Sequence, residues 1–247
     1  MIQFVDLFAG IGGTRLGFEE ACHEIEDKAK CVLSSEIDSR ARETYWLNFG
    51  ERPLGDVRKI IEFPDFDILL AGFPCQPFSY AGRHKGFGDT RGTLFFEIER
   101  VLRKKRPKGL FLENVRGLTT HDKGRTLRTI LHSLERLNYS VEYLLLNSSN
   151  FGVPQNRVRV YALGLLGTKP RLALTSDVGA SDSNKIKRTI FQTSLFPNTT
   201  KRRLVKDILE ENPDPKYRCS ENFTKMLSKV VGSNFELLHG VRLIDYR

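Results

Sequence analysis

Apolar residues in this chain fall into short unbroken runs, separated by stretches in which they recur at helical spacing. The runs at 2–8, 30–35, 67–71, 109–112, 140–147 and 157–166 predict strands. Between them a helix is expected from near Thr14, with Leu16, Phe18 and Ala21 toward one side, and another over 40–48. A third, over 94–106, puts Leu94, Ile98, Val101 and Leu102 on one face; a fourth, over 123–137, does the same with Leu127, Ile130, Leu131, Leu134 and Leu137. Strand and helix in alternation predict an α/β domain built on a mostly parallel sheet. The pattern breaks at Lys169 and Pro170. This divides the chain into a first domain, 1–167, and a looser region, 168–247. In the second, 176–185 reads as a polar linker, short helices are expected near 201–209 and 221–231, and 242–247 is strand-like. No internal repeat is visible.

Chemistry concentrates where the predicted strands end. After the first strand come Phe8, Ala9, Gly10, Ile11, Gly12 and Gly13, then a helix. Strand, glycine-rich turn and helix make a nucleotide-binding βα unit, although the G-x-G-x-x-G spacing of dinucleotide enzymes is not met. A purely structural turn is the other reading. The second strand ends at Glu36, Ile37 and Asp38, where such folds hold a ribose hydroxyl pair. Asp56, beside Val57, either caps the next turn or accepts from an adenine amino group. The third strand runs into Gly72, Phe73, Pro74, Cys75, Gln76 and Pro77. Prolines on both sides hold Cys75 rigidly at a strand tip, which suits a nucleophile; a small buried thiol is the alternative.

The loop 80–93 carries Gly82, Arg83, Lys85, Gly86, Gly88, Arg91 and Gly92, and reads either as a lid over an anionic substrate or as a plain surface loop. The fourth strand ends in Glu113, Asn114 and Val115. A carboxyl group there, against apolar walls, is placed to donate a proton, or else it caps a turn. Arg157 and Arg159 alternate with apolar residues, so on a strand both guanidinium groups would point to one side, toward a phosphate, a base carbonyl or solvent.

Composition narrows the partners. Lys and Arg total 39 against 30 Asp and Glu, a net charge of +9. Residues 168–247 hold 15 basic and 9 acidic side chains, so most of the excess lies there. Such a concentration fits a polyanion, and it also serves solubility. No run approaches the roughly 20 apolar residues of a membrane span, and no signal-peptide pattern opens the sequence. Cys22, Cys31, Cys75 and Cys219 form no C-x-x-C pair and no zinc-ligand spacing, so they read as reduced thiols of a cytoplasmic protein.

In order along the chain, residues 6–13, 36–38, 55–57, 72–79, 91–94, 113–115 and 155–161 resemble the DNA (cytosine-5) methyltransferases. The resemblance reaches to about Leu165. It implies the Rossmann-like AdoMet-dependent methyltransferase fold, a mixed, mostly parallel sheet with helices on both faces. It implies S-adenosyl-L-methionine as cofactor, held by Phe8 through Gly13, by Glu36 on the ribose, Ile37 on adenine and Asp56 on its amino group, with Val57, Pro74 and Leu94 around it. Cys75 would be the nucleophile, Glu113 the acid on the cytosine ring, and Arg157 and Arg159 contacts to the base and a neighbouring phosphate.

The chemistry demands such a set. Cytosine C5 gains its nucleophilicity when a thiolate adds at C6, the charge reaching N3 is met by an acid, and the base must first leave the duplex. Loss of the C5 proton and expulsion of the thiolate close the cycle. The matching motifs stop before the target-recognition domain and two further blocks that the family carries, so 168–247 is expected to open that domain. The resemblance thus implies a larger, catalytic subunit whose partners are duplex DNA and a smaller second chain; an artificial truncation is the alternative. A cofactor-binding scaffold and an RNA substrate are competing readings, whereas a zinc deaminase is excluded by the missing H-x-E and P-C-x-x-C pattern.

Overall fold

The structure, a computed structural model, describes residues 1–74, 94–170, 189–190, 236–238 and 241–243. Cys75, the loop 80–93, the linker 176–185 and the helices expected near 201–209 and 221–231 lie outside the described residues.

Strands β1 (Ile2–Leu7), β2 (Ala29–Ser35), β3 (Ile68–Ala71), β4 (Gly109–Val115), β5 (Tyr139–Asn147), β6 (Val158–Leu166) and β7 (Thr189–Ile190) form one sheet in the order β2-β1-β3-β4-β6-β5-β7. Pairing is parallel from β2 across to β4, antiparallel on both sides of β6, and parallel again at β7. The expected mixed, mostly parallel sheet is therefore present. Its helices are α1 (Gly13–Glu24), α2 (Ser39–Phe49), α3 (Leu94–Lys105) and α4 (Arg125–Arg136).

Alternation along the strands assigns the two faces. Val5, Leu7, Leu69, Ala71, Leu110 and Leu112 point to a core shared with Phe95, Ile98, Val101 and Leu102 of α3 and Leu127, Ile130, Leu131 and Leu134 of α4. Phe4, Cys31 and Leu70 point the other way and meet Phe18 of α1. Helices thus cover both faces, as expected. Asp38 starts α2 by accepting from the Ala41 N–H at 2.8 Å, and Gly50, at φ 69°, ends it.

The chain divides into two compact units, Met1–Asn147 with Arg157–Phe196, and Ser148–Asn156 with Pro197–Arg247. The described part of the second contains a 3₁₀ turn, Ser148–Phe151, and an antiparallel pair, β8 (Glu236–Leu238) with β9 (Val241–Leu243). All site residues described below belong to the first unit.

Candidate active site

β1 has β2 on one side and β3 on the other, so chain order reverses there. In open α/β sheets ligands bind at such a switch point, beyond the strands' carboxyl ends. A cavity of about 600 Å³ opens at that place, lined by Phe8, Gly10, Ser35, Glu36, Ile37, Gly55, Asp56, Val57, Arg58, Gly72, Pro74 and Leu94.

The turn after β1 is shaped by unusual backbone. Phe8 has φ 56°, a value uncommon outside glycine and often found at functional sites. Gly12 has φ 94°, and a Cβ there would come within 2.1 Å of the Phe49 ring. The turn is gripped from β2. Glu36 Oε2 accepts from the Gly10 N–H and Oε1 from the Asp38 N–H, each at 2.8 Å. Each oxygen keeps a further lone pair, a fitting acceptor set for two neighbouring hydroxyls. Ala9, Ile11, Gly12 and Gly13 build this turn and do not line the cavity. Ala9 N–H donates to the Ser35 carbonyl, and the Ile11 carbonyl accepts from Asn48.

Asp56 caps the 3₁₀ turn Val57–Lys59 and accepts from the Arg58 N–H at 3.0 Å. The Arg58 guanidinium also grips the same carboxylate, with Nη2 to Oδ2 at 2.6 Å. It holds the Asp56 carboxyl below the usual carboxylate range, against the opposing pull of burial. Ile37 is 69% exposed and offers an apolar surface at the rim; Val57 is buried beneath. Two carboxylates, Glu36 and Asp56, and the aromatic Phe8 line the cavity; they suit an uncharged nucleoside better than a phosphate, which the acids would repel. The residues present therefore fit an adenosyl cofactor.

Glu113 stands next to this cavity. It is the fifth residue of β4, so the strand extends past the expected 109–112. A Cβ added to Gly72 would lie 3.5 Å from Glu113 Oε2. That is ordinary contact distance, so the end of β3 and Glu113 on β4 stand side by side. The wall around Glu113 is not only apolar. Arg159 Nε lies 3.0 Å from Oε1, with the two side chains 18% and 25% exposed. The pair follows from the β4–β6 register, in which Glu113 faces Tyr161 and Arg159 sits two residues away on the same side. Arg157 precedes β6 by one residue; its N–H donates to Asn147 Oδ1 and its side chain is exposed. Arg159 and Glu113 are thus brought together, and Arg157 is not part of that contact.

Three features escape the strand-end reading. Asn114, buried on the opposite face from Glu113, donates to the Phe73 carbonyl at 2.8 Å and so tethers the segment leading to position 75. Its place beside Glu113 in a strand-end triplet was the available signal. Arg58 lies two residues from Asp56, and that short spacing was the available signal. The third is Asp6, 1% exposed, neither of whose carboxylate oxygens has a hydrogen-bond partner among the described residues. Around it stand Arg15 and Glu19 of α1, Cys31 of β2, Tyr45 of α2, and Glu36.

Arg15 donates to Tyr45 at 3.1 Å, to Glu51 at 2.9 Å and to Glu19 at 2.8 Å. Burial pushes the Asp6 carboxyl up to about 7, against the pull of the Arg15 charge. Burial likewise raises the Cys31 thiol to about 11, so it is no nucleophile. Among the described residues no group of three His, Cys, Asp or Glu is arranged for a metal. None of the described helices is long and apolar enough to cross a membrane.

Residues 2–247 match the family described as C-5 cytosine-specific DNA methylase. The chain is 68% identical over 246 residues to the Type II methyltransferase M.BanI of Aneurinibacillus aneurinilyticus, covering all of this chain and 56% of that protein. It is 62% identical over 247 residues to the Type II methyltransferase M.HgiCI of Herpetosiphon aurantiacus, again covering all of this chain and 58% of the other. The chain therefore spans little more than half the length of these curated relatives. Among solved structures, a DNMT2 variant from Spodoptera frugiperda superposes with a TM-score of 0.67 at 22% identity, over 92% of this chain and 65% of the other. S. pombe Dnmt2 gives 0.65 at 24%, over 96% and 69%. At such identities these two speak for the fold alone.

Proposed function

Because this chain belongs to the C-5 cytosine-specific DNA methylase family, we propose that it is the catalytic part of an enzyme that methylates C5 of a cytosine flipped out of duplex DNA. The observation that carries the reading is the nucleoside-sized cavity whose rim residue Gly72 abuts Glu113. S-adenosyl-L-methionine, when bound, supplies an electrophilic methyl group. Phe8, Glu36, Ile37, Asp56, Val57, Pro74 and Leu94 are assigned to hold it, Glu36 through the ribose hydroxyls and Asp56 through the adenine amino group. The glycine turn from Ala9 to Gly13 sets their spacing.

Cys75 is assigned the attack on cytosine C6. Its sulfur forms the bond to C6, the ring π-electrons move toward N3, and Glu113 delivers a proton there. General-acid help of this kind is worth roughly 10²–10⁴-fold. Arg159 holds Glu113 in place, and Arg157 is assigned to the DNA backbone. After C5 has been alkylated a base takes its proton, the C5–H electron pair becomes the C5=C6 double bond as the C6–S bond breaks to restore the thiolate, and N3 returns its proton to Glu113.

The curated relatives run well beyond the matched stretch. The reading assigns target recognition and completion of the site to that further portion, with 168–247 as its approach, supplied here by a smaller second chain. The assembled enzyme acts in the cytoplasm as the modification half of a restriction-modification pair.

The test is incorporation of label from methyl-labelled cofactor into DNA, with the chain alone and with the remaining portion added. The expected result is label at cytosine C5 only in the second case. Cys75→Ala is expected to abolish it while direct binding of S-adenosylhomocysteine persists. Absence of label in the assembled protein overturns the reading, and equal loss of binding and turnover in Cys75→Ala would make that cysteine structural.

A further inference from the structure

Arg58 occupies Asp56 more completely than a turn requires. A carboxylate offers about four lone-pair positions. Oδ1 takes the Arg58 N–H at 3.0 Å and Nε at 2.9 Å, while Oδ2 takes Nε at 2.9 Å and Nη2 at 2.6 Å. Capping the 3₁₀ turn uses only the backbone contact, so the side-chain contacts serve something else. Both residues line the cavity, with side chains 14% exposed for Asp56 and 41% for Arg58. Glu36 is held by backbone N–H groups and keeps its outward lone pairs; with the single Nε–H shared between both oxygens, three hydrogens engage Asp56 and leave it at most one position.

We infer that Arg58 is a clasp which a nucleoside must open, and that it sets selectivity for the group at position 6 of the base. An amino group there donates to Asp56 once the guanidinium has swung away. A 6-oxo group cannot donate, but it accepts from Arg58 itself. The clasp therefore narrows the preference for adenine that Asp56 alone would impose. Arg58 is a specificity-determining residue, and its role rests on the reading of the cavity as an adenosyl site. A charge pair this exposed is weak, so opening it lowers affinity by no more than about fivefold.

The experiment is isothermal titration of the 247-residue chain with S-adenosylhomocysteine and with its 6-oxo counterpart, S-inosylhomocysteine. Arg58→Met keeps the apolar stem and removes the fork. It is expected to bind the adenosyl ligand about two- to fivefold more tightly and the inosyl ligand at least about threefold more weakly, widening the ratio of their dissociation constants about tenfold. Arg58→Lys, a charge without the planar fork, is expected to fall between. A ratio unchanged in both variants, whether or not the two affinities move together, overturns the clasp and leaves the adenosyl site standing. Failure of the unsubstituted chain to bind the adenosyl ligand overturns the cavity reading and the clasp with it.

Discussion

Glu36 and Glu113 both stand where a strand delivers its carboxyl end, yet they are held in different ways. Glu36 is fastened by two backbone N–H groups, one from the turn after β1 and one from the start of α2. The first of these contacts keeps the glycine turn in shape. Glu113 is met by a side chain, Arg159, reached across an antiparallel pair of strands. One acid is fixed by the backbone of its own neighbourhood and the other by a side chain from across the sheet. Asp6, one residue back from the end of β1, extends the contrast, because among the described residues it has neither kind of hydrogen-bond partner.

The contrast breaks first at Glu113. Glu113→Gln keeps the shape and loses the transferable proton, so methyl incorporation by the assembled protein should fall by about 10²–10⁴-fold. Binding of S-adenosylhomocysteine should stay within about twofold, since the nucleoside contacts lie elsewhere. A variant that turns over normally would remove the distinction between the two acids.

Asp6 sharpens it next. Its folded carboxyl titrates at about 7 against an ordinary 3.8. Between those values the unfolded chain is ionised and the folded one neutral, so folding takes up a proton. Stability therefore falls as pH rises from about 4 to about 7 and levels off above, by at most about 4 kcal/mol. Urea denaturation of Asp6→Asn should lack this decline between pH 5 and pH 8; an unaltered slope would mean that Asp6 is ionised throughout.

Glu36→Ala should weaken S-adenosylhomocysteine by about 10- to 100-fold, the range for lost hydrogen bonds to a charged group. It should lower the melting temperature as well, because Gly10 N–H loses its partner. Equal binding would show that Glu36 only shapes the turn. At the small end, Lys104→Gln removes a surface pair with Glu62, 77% exposed, and should leave both the melting temperature and ligand affinity unchanged.

Much of this arrangement was legible in the sequence. Helix α3 ends one residue from its expected limit; Ile98, Val101 and Leu102 of its expected face are buried, Leu94 is only half-buried, and Phe95 is buried in addition. Eight of the residues expected around the cofactor, Phe8, Gly10, Glu36, Ile37, Asp56, Val57, Pro74 and Leu94, do line one cavity. They were legible because strand ends, glycine turns and caps are local features, written within a few neighbouring residues. The Glu113–Arg159 pair was not, since it joins segments more than forty positions apart through a register that either strand alone leaves open. Of the two arginines expected on one strand face, Arg157 lies one residue before β6, though its charge reaches the Tyr161 hydroxyl as that of Arg159 does.

Local pattern thus determined the elements, the positions of the acids and the glycine turn. Only the folded chain decided which acid receives backbone N–H groups, which receives a guanidinium and which is buried with no hydrogen-bond partner among the described residues. Those partners come from other elements, and the charge a buried or half-buried carboxyl carries depends on them more than on its own place in the chain.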